Sequence, residues 1–307
     1  GSIYVSIDNT EVAYLLVLMD EIFQRNNRKN IIIIKRGSVT GAKVINPGLV
    51  NITEFILVYT KNSNKWEPNR LSRNKERDDR YATYIDNYED NYSNWRFIPL
   101  LDAFALSVGM KNSLLKKHFE DIYEEKLLEF ICSNSERIIR FASLDEKSIS
   151  KQALEQKKIS LLNKGITYLM EREEKRPYYI YNGNIILFVR DRLQEIDGKL
   201  GFSEPLTDIW DDVLPNDLHN EGGVDFRKGK KPEKLIQRIL LLASKENDYV
   251  LDSFLGSGTT SAVATKIKRK WIGIELGEHA NTHCIPRLRS VIDGVDKSGV
   301  SKSTNWN

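Results

Sequence analysis

Val250-Leu251-Asp252-Ser253-Phe254-Leu255-Gly256-Ser257-Gly258-Thr259-Thr260 is the stretch of this 307-residue chain whose reading decides the fold. It opens as a short apolar strand ending on an acid, bends at two glycines one residue apart, and closes on the start of a helical pattern, the first half of an α/β unit. Glycine permits a tight bend that a Cβ would obstruct. The helix opening near Thr259 leaves N–H groups without intrahelical partners, which suit an anionic group. The next strand, 271–275, ends on Glu275, 23 positions after Asp252. An acid at about that spacing accepts from the ribose diol in nucleotide-binding α/β units. An ordinary strand-to-helix turn also uses glycines, so the bend alone selects no ligand. A dinucleotide fingerprint needs Gly-x-Gly-x-x-Gly/Ala, and here Ala262 stands one position late. A P-loop needs Lys-Ser/Thr after its last glycine, and none follows. S-adenosylmethionine makes the same two demands, with its carboxylate and its ribose.

Working outward, the pattern predicts a helix over 231–244 before the bend, and helices over 259–268 and 280–292 after it. The polar stretch 293–307 carries little pattern. At the other end, 3–7 reads as a strand, 10–23 as a helix introduced by Asp8-Asn9-Thr10, and 30–35 and 55–60 as further strands. Residues 112–175 read as helical and heavily charged with mixed sign. Residues 178–181 and 185–189, joined by Asn182-Gly183-Asn184, read as a hairpin. The expected organisation is 1–99, an insertion over 100–205, and 206–307. The expected fold class is α/β, a Rossmann-like sheet interrupted by a mostly helical insertion.

Composition narrows the classes. Apolar residues are 40% and charged residues 29%, enough for a sizeable core. The net charge of +3 gives no whole-chain signature of nucleic-acid binding, so local clusters matter. No apolar run approaches the roughly 20 residues that cross a membrane. The first residues form no secretory signal. Two cysteines argue against a disulfide framework and for a cytoplasmic setting, and with the four histidines they form no metal-ligand spacing.

With the flanking segments added, the sequence resembles the modification (Mod) subunit of type III restriction–modification systems, within the β-class amino-group (N4/N6) DNA methyltransferases. The residues that carry the resemblance are Asp252 to Thr260; Gly229-Lys-Lys-Pro-Glu-Lys-Leu235; and Trp271-Ile-Gly-Ile-Glu-Leu-Gly-Glu-His279. Cys284-Ile-Pro-Arg-Leu288, Val291-Ile-Asp-Gly294, Tyr4-Val-Ser-Ile-Asp8, Leu18-Met-Asp-Glu-Ile22 and the run 203–212 add to it. The two outer regions are covered well. The middle region matches by position alone, where the family places its target-recognition insertion.

The resemblance implies a site-specific DNA methyltransferase that moves a methyl group from S-adenosylmethionine to the adenine N6 amine. Implied partners are double-stranded DNA, a restriction (Res) subunit and a second copy in a homodimer, with no membrane. The implied cofactor residues are Asp252, Phe254, Gly256, Ser257, Gly258, Thr259 and Glu275, with Asp8 and Lys231. Asp8 reads equally as a helix cap, and Lys231-Pro232 as a helix start. Residues 61–80 hold seven Lys/Arg against four Asp/Glu, with Trp66 among them. Lys61, Lys65, Arg70 and Arg73 there, and Arg227 and Lys228 in a second cluster, are the candidates for phosphate contact.

One departure bears on catalysis. The family carries an Asp-Pro-Pro-Tyr-like tetrapeptide, whose side-chain and proline carbonyl oxygens accept the hydrogens of the amine while its aromatic ring stacks on the flipped base. None of the eight prolines here is adjacent to another. No catalytic residue is therefore assigned. The expectation is an internal fragment that seats the cofactor but transfers methyl groups slowly or not at all, with a sheet short of one strand. Two other readings are an NAD- or FAD-binding Rossmann oxidoreductase on the same bend, and a non-catalytic DNA- or partner-binding module.

Overall fold

The computed structural model describes residues 1–37, 48–146, 149–172, 175–196, 198–215, 218, 220–226, 229–304 and 306. They form two compact units: Gly1–Ser72 together with Pro205–Asn307, and Arg73–Glu204.

In the first unit the elements run β1 Ser2–Ile7, α1 Val12–Phe23, β2 Arg28–Lys35, β3 Thr53–Thr60, β4 Ile209–Trp210, α2 Glu233–Ala243, β5 Tyr249–Asp252, α3 Thr259–Lys266, β6 Lys270–Gly273 and α4 Ile285–Ile292. The strand order is β1-β3-β2-β4. β3 lies antiparallel to both β1 and β2, and β4 lies parallel to β2. β3 is the central strand, and Ile56 to Thr60 are all buried because both of its faces are covered. Ile32, Ile34, Ile56, Val58, Trp210 and Leu235 pack as one core.

β5 and β6 form a separate parallel pair, with Asp252 opposite Gly273. Alternation sends Val250 and Trp271 inward, where they pack against a core of Leu240, Val263, Ala264 and Ile267. It leaves Tyr249, Leu251 and Ile272 exposed on the other face. Ser261, Ala262, Val263 and Ala264 of α3 are all buried, small side chains that let this helix lie close to its neighbours. Among the described residues β1 pairs only with β3, and β5 only with β6.

The second unit corrects two expectations. Its insertion is not mostly helical. It holds a six-stranded sheet in the order Phe97–Pro99, Thr83–Ile85, Ile138–Ser143, Asn184–Phe188, Lys175–Tyr181, Thr167–Arg172, antiparallel at each pairing. Helices Leu100–Ser107, Leu115–Phe119, Tyr123–Ser133 and Lys151–Leu162 accompany it. The expected helix over 112–175 is thus cut by strands, which bury Ile138, Ile139, Thr167 and Met170. The expected boundary at 99 moves to 72, because Thr83–Ile85 pairs with Ile138–Ser143 as well as with Phe97–Pro99. The Asn182-Gly183 hairpin forms as read: both residues take positive φ, 48° and 77°, as a two-residue turn with the twist of its strands requires. No helix among the described residues is long and apolar enough to cross a membrane.

Trp210 closes the end of the first core. Its indole N–H donates to the Thr207 carbonyl at 2.8 Å, and the Arg238 guanidinium lies 5.2 Å from its ring centroid. Trp210→Ala is expected to cost about 3–5 kcal/mol in urea unfolding, the range for deleting a large buried aromatic. A loss under about 1 kcal/mol would place Trp210 outside the core.

Candidate functional site

The site grows from the end of β5. Pairing with the neighbouring strand continues past Asp252, with Ile274 N–H donating to the Asp252 carbonyl at 2.9 Å and Leu255 N–H to the Ile274 carbonyl at 3.1 Å. Leu255 then turns inward over Gly273, where a Cβ would come within 2.6 Å of its side chain. Gly258 N–H closes the turn on the Leu255 carbonyl at 2.9 Å. Gly256 and Gly258 both take left-handed backbone, φ 56° and 75°, and a Cβ on Gly258 would meet the Cys284 backbone at 3.2 Å. The two glycines are therefore required by conformation and, at Gly258, by close approach.

Glu275 holds the bend from the tip of the neighbouring strand. Its Oε2 accepts the Gly256 N–H at 2.7 Å and its Oε1 the Gly277 N–H at 3.1 Å. The Gly277 and Gly256 amides together hold its carboxyl below the usual glutamate range. Asp252 Oδ1 accepts the Phe254 N–H at 3.1 Å. Burial pushes the Cys284 thiol up, and the fields of Glu275 and Asp252 add to that shift, so both carboxylates act on the same point below the bend. Gly258 caps α3 without any side-chain hydrogen bond to the helix. The site thus offers acceptors on two strand tips and N–H donors at a helix start, a donor set matched to a ligand carrying a carboxylate together with hydroxyl or ammonium groups.

The sequence-derived candidates divide. Asp252, Phe254, Gly256, Gly258 and Glu275 sit at the bend, with Phe254 90% exposed. Ser257 and Thr259 also sit there, but their hydroxyls are buried, 3.0 Å apart, and face Arg287 beneath. Asp8 accepts from the backbone and hydroxyl of Thr10 and from Glu11 N–H, which fixes the entry to α1. Lys231 pairs with Glu54 of β3 at 2.7 Å. Lys61, Lys65 and Arg70 are exposed, and the Lys29 ammonium lies 5.3 Å from the Trp66 ring centroid. Arg73 belongs to the second unit, where it and Lys75 pair with Glu204. Arg227 and Lys228 lie outside the described residues.

Sequence reading missed two groups. Phe226, His279 and His283 pack edge to face at 5.1–5.4 Å, and Phe226 lies 3.8 Å from the Cβ position of Gly256. The i, i+4 spacing of the two histidines was the available signal. The second is a buried charge cluster behind the bend. Lys266 pairs with Glu233 at 2.7 Å and with Asp296 at 2.8 Å, and Arg287 pairs with Glu233 at 2.7 Å. A lysine and an arginine each standing among apolar helix positions were its only trace.

A family model described as DNA methylase matches residues 1–284. A probable type III restriction–modification enzyme, the HindVI Mod subunit of Haemophilus influenzae, is 32% identical over all of this chain and 43% of its own length. The type II methyltransferase M2.LlaDCHI of Lactococcus lactis is 32% identical over 40% of this chain and 49% of its own. The crystal structure of an M1.HpyAVI–SAM complex overlaps 94% of this chain and 74% of that one at a TM-score of 0.38 and 12% identity. The chain thus spans less than half the length of these two relatives.

The bonds from Gly256 and Gly277 favour the ionised Glu275, so its folded pKa is the depressed one. Its hold on the bend is complete above the ordinary glutamate pKa and is lost as pH falls through the depressed value. NMR titration of the Glu275 carboxyl is expected to give a midpoint below the ordinary glutamate value, with the Gly256 and Gly277 amide shifts following the same curve. A midpoint at or above that value would remove the anchor.

Proposed function

This chain belongs to the DNA methylase family, and from that premise we propose that it seats the methyl donor of a site-specific adenine-N6 DNA methyltransferase in a type III restriction–modification system. The observation that carries the reading is the glycine bend bracketed by Asp252 and Glu275 above an uncapped helix start.

The donor set fits S-adenosylmethionine. The N–H groups opening α3, which carry no side-chain cap among the described residues, receive the carboxylate of the amino-acid part. Asp252, whose carboxylate among the described residues accepts only the Phe254 N–H, retains acceptor capacity for the ammonium group. Each Glu275 oxygen takes one backbone N–H and keeps a second lone pair for the ribose diol. Phe254, Phe226 and His279 supply aromatic surface beside the bend. When bound, S-adenosylmethionine supplies an electrophilic methyl group on a positively charged sulfur.

The acceptor amine of adenine is a poor nucleophile because its lone pair is delocalised into the ring. Transfer therefore needs oxygen acceptors for the amine hydrogens, the task of the Asp-Pro-Pro-Tyr-like tetrapeptide that this sequence does not contain. This chain by itself is expected to bind the donor and to methylate DNA very slowly.

In this reading double-stranded DNA is the substrate and a Res subunit the partner, in a cytoplasmic assembly with a second Mod copy. The first unit carries the methyltransferase core, and Arg73–Glu204 reads the DNA sequence. Lys61, Lys65, Arg70 and Arg73, with Arg227 and Lys228, neutralise phosphates. The family match gives the oxidoreductase reading no support.

S-adenosylmethionine at one hundred times its Kd is expected to stabilise the chain by about 2.7 kcal/mol, read as a raised melting midpoint. NAD is expected to leave the midpoint unchanged. Stabilisation by NAD alone would overturn the methyltransferase reading, and DNA binding with no response to S-adenosylmethionine would leave an interaction module.

A further inference from the structure

We propose that Arg287 is the positioning residue of the glycine bend: from beneath, its guanidinium fixes Ser257 and Thr259 so that the N–H groups of the helix start face the cofactor. The proposal rests on the reading that this bend seats S-adenosylmethionine, and adds a residue that reaches the ligand only through the loop.

Arg287 rises from α4 and is wholly buried. Its Nη1 donates to Thr259 Oγ1 at 2.9 Å and lies 3.3 Å from the Ser257 carbonyl and 3.4 Å from Ser257 Oγ. Its Nη2 donates to Glu233 Oε1 at 2.7 Å. One rigid fork therefore joins two residues of the bend to the first turn of α2. Glu233 is itself held by Lys266 Nζ at 2.7 Å and by Val300 N–H at 3.1 Å, and its own N–H donates to Glu221 at 2.8 Å. The anchor is thus fixed from α3, from the C-terminal segment and from the loop before α2.

The seat has no slack on the remaining side. Gly222 adopts φ 71°, and a Cβ there would fall 2.4 Å from Arg287 Nε, so bare backbone faces the guanidinium. That Nε makes no hydrogen bond among the described residues, and this arrangement spends the fork on the bend and on Glu233.

The bend needs such a support. Two left-handed glycines in three residues leave the local chain many alternatives, since glycine takes positive and negative φ about equally readily. The flanking residues Ser257 and Thr259 turn their polar groups inward onto Arg287, and the buried Gly258 between them gives its N–H to the Leu255 carbonyl, so the helix start is held from beneath at three consecutive residues. A guanidinium can do this because its donors diverge in one plane. A lysine ammonium is a compact point charge that satisfies one locus at a time.

The experiment compares the parent chain with R287K and T259V. Two readouts are hydrogen exchange of the amides at 255–260 without ligand, and the Kd of S-adenosylmethionine by calorimetry. In R287K the ammonium still neutralises Glu233, so the melting midpoint is expected to stay within a few degrees of the parent. Exchange at 255–260 is expected to rise at least tenfold, with α1 and β3 unchanged, and the Kd to rise at least tenfold. T259V keeps the Arg287–Glu233 pair and is expected to move both readouts the same way by a smaller factor. Parental exchange at 255–260 in a folded R287K overturns the proposal, as does weakened binding without faster exchange, or a rise spread evenly over α1 and β3. If R287K does not fold, T259V decides, and unchanged exchange there overturns it. A parent chain that binds no S-adenosylmethionine overturns the cofactor reading, and the exchange data then judge Arg287 separately.

Discussion

Glu275 accepts the Gly256 N–H across the gap between two neighbouring strand tips, and the shape of the site depends on that contact. Parallel strands bring Asp252 and Gly273 level, so the residues just beyond them emerge side by side. The chain leaving β5 must then turn at once to reach α3. A carboxylate at the tip of the next strand is placed to take the first N–H of that turn. The same acid that sequence spacing assigns to a ribose therefore has a second task, holding the loop that would receive the rest of the nucleoside. Two backbone N–H bonds hold its carboxyl below the usual glutamate range, so the loop is held across the neutral range.

Behind the bend the chain holds charges where an apolar core would be expected. Glu233, Lys266 and Arg287 have no exposed side-chain surface, and Asp296 has almost none. Replacing such a group of ions by well-packed apolar residues is often neutral or stabilising, whereas removing one partner costs about 3–5 kcal/mol. Stability alone is thus a weak reason for the cluster. Direction is a stronger one, because ion pairs and a planar fork specify where each backbone segment sits, and an apolar contact does not. Gly299 makes the same point: a Cβ there would meet the Glu233 carboxylate at 2.2 Å, so the C-terminal segment approaches the anchor on bare backbone.

The strand–bend–helix–strand unit was legible because each of its signals is local. Alternation marks β5, two glycines mark the turn, and small residues mark a helix that packs closely. The roles of Ser257 and Thr259 were not legible, since their direction is set by Arg287, some thirty positions later in the chain. Lys231 read as a cofactor or helix-start residue, and a distant partner, Glu54, claims its charge. The second unit was misread for a related reason. Ile138–Ser143 and Thr167–Arg172 sit among charged residues in a helical texture; Ile138–Ser143 becomes a strand through partners more than forty positions away, and Thr167–Arg172 through the strand that follows it. The Asn182-Gly183 hairpin was read correctly there because its turn chemistry is contained in two residues.

The most direct measurement of the account is the map of backbone amide shifts on adding S-adenosylmethionine to the full chain. The largest changes are expected at Gly256 to Ser261 and at Gly277, with α1 and β3 little affected. Saturable binding whose largest changes lie elsewhere, with the bend silent, would contradict it.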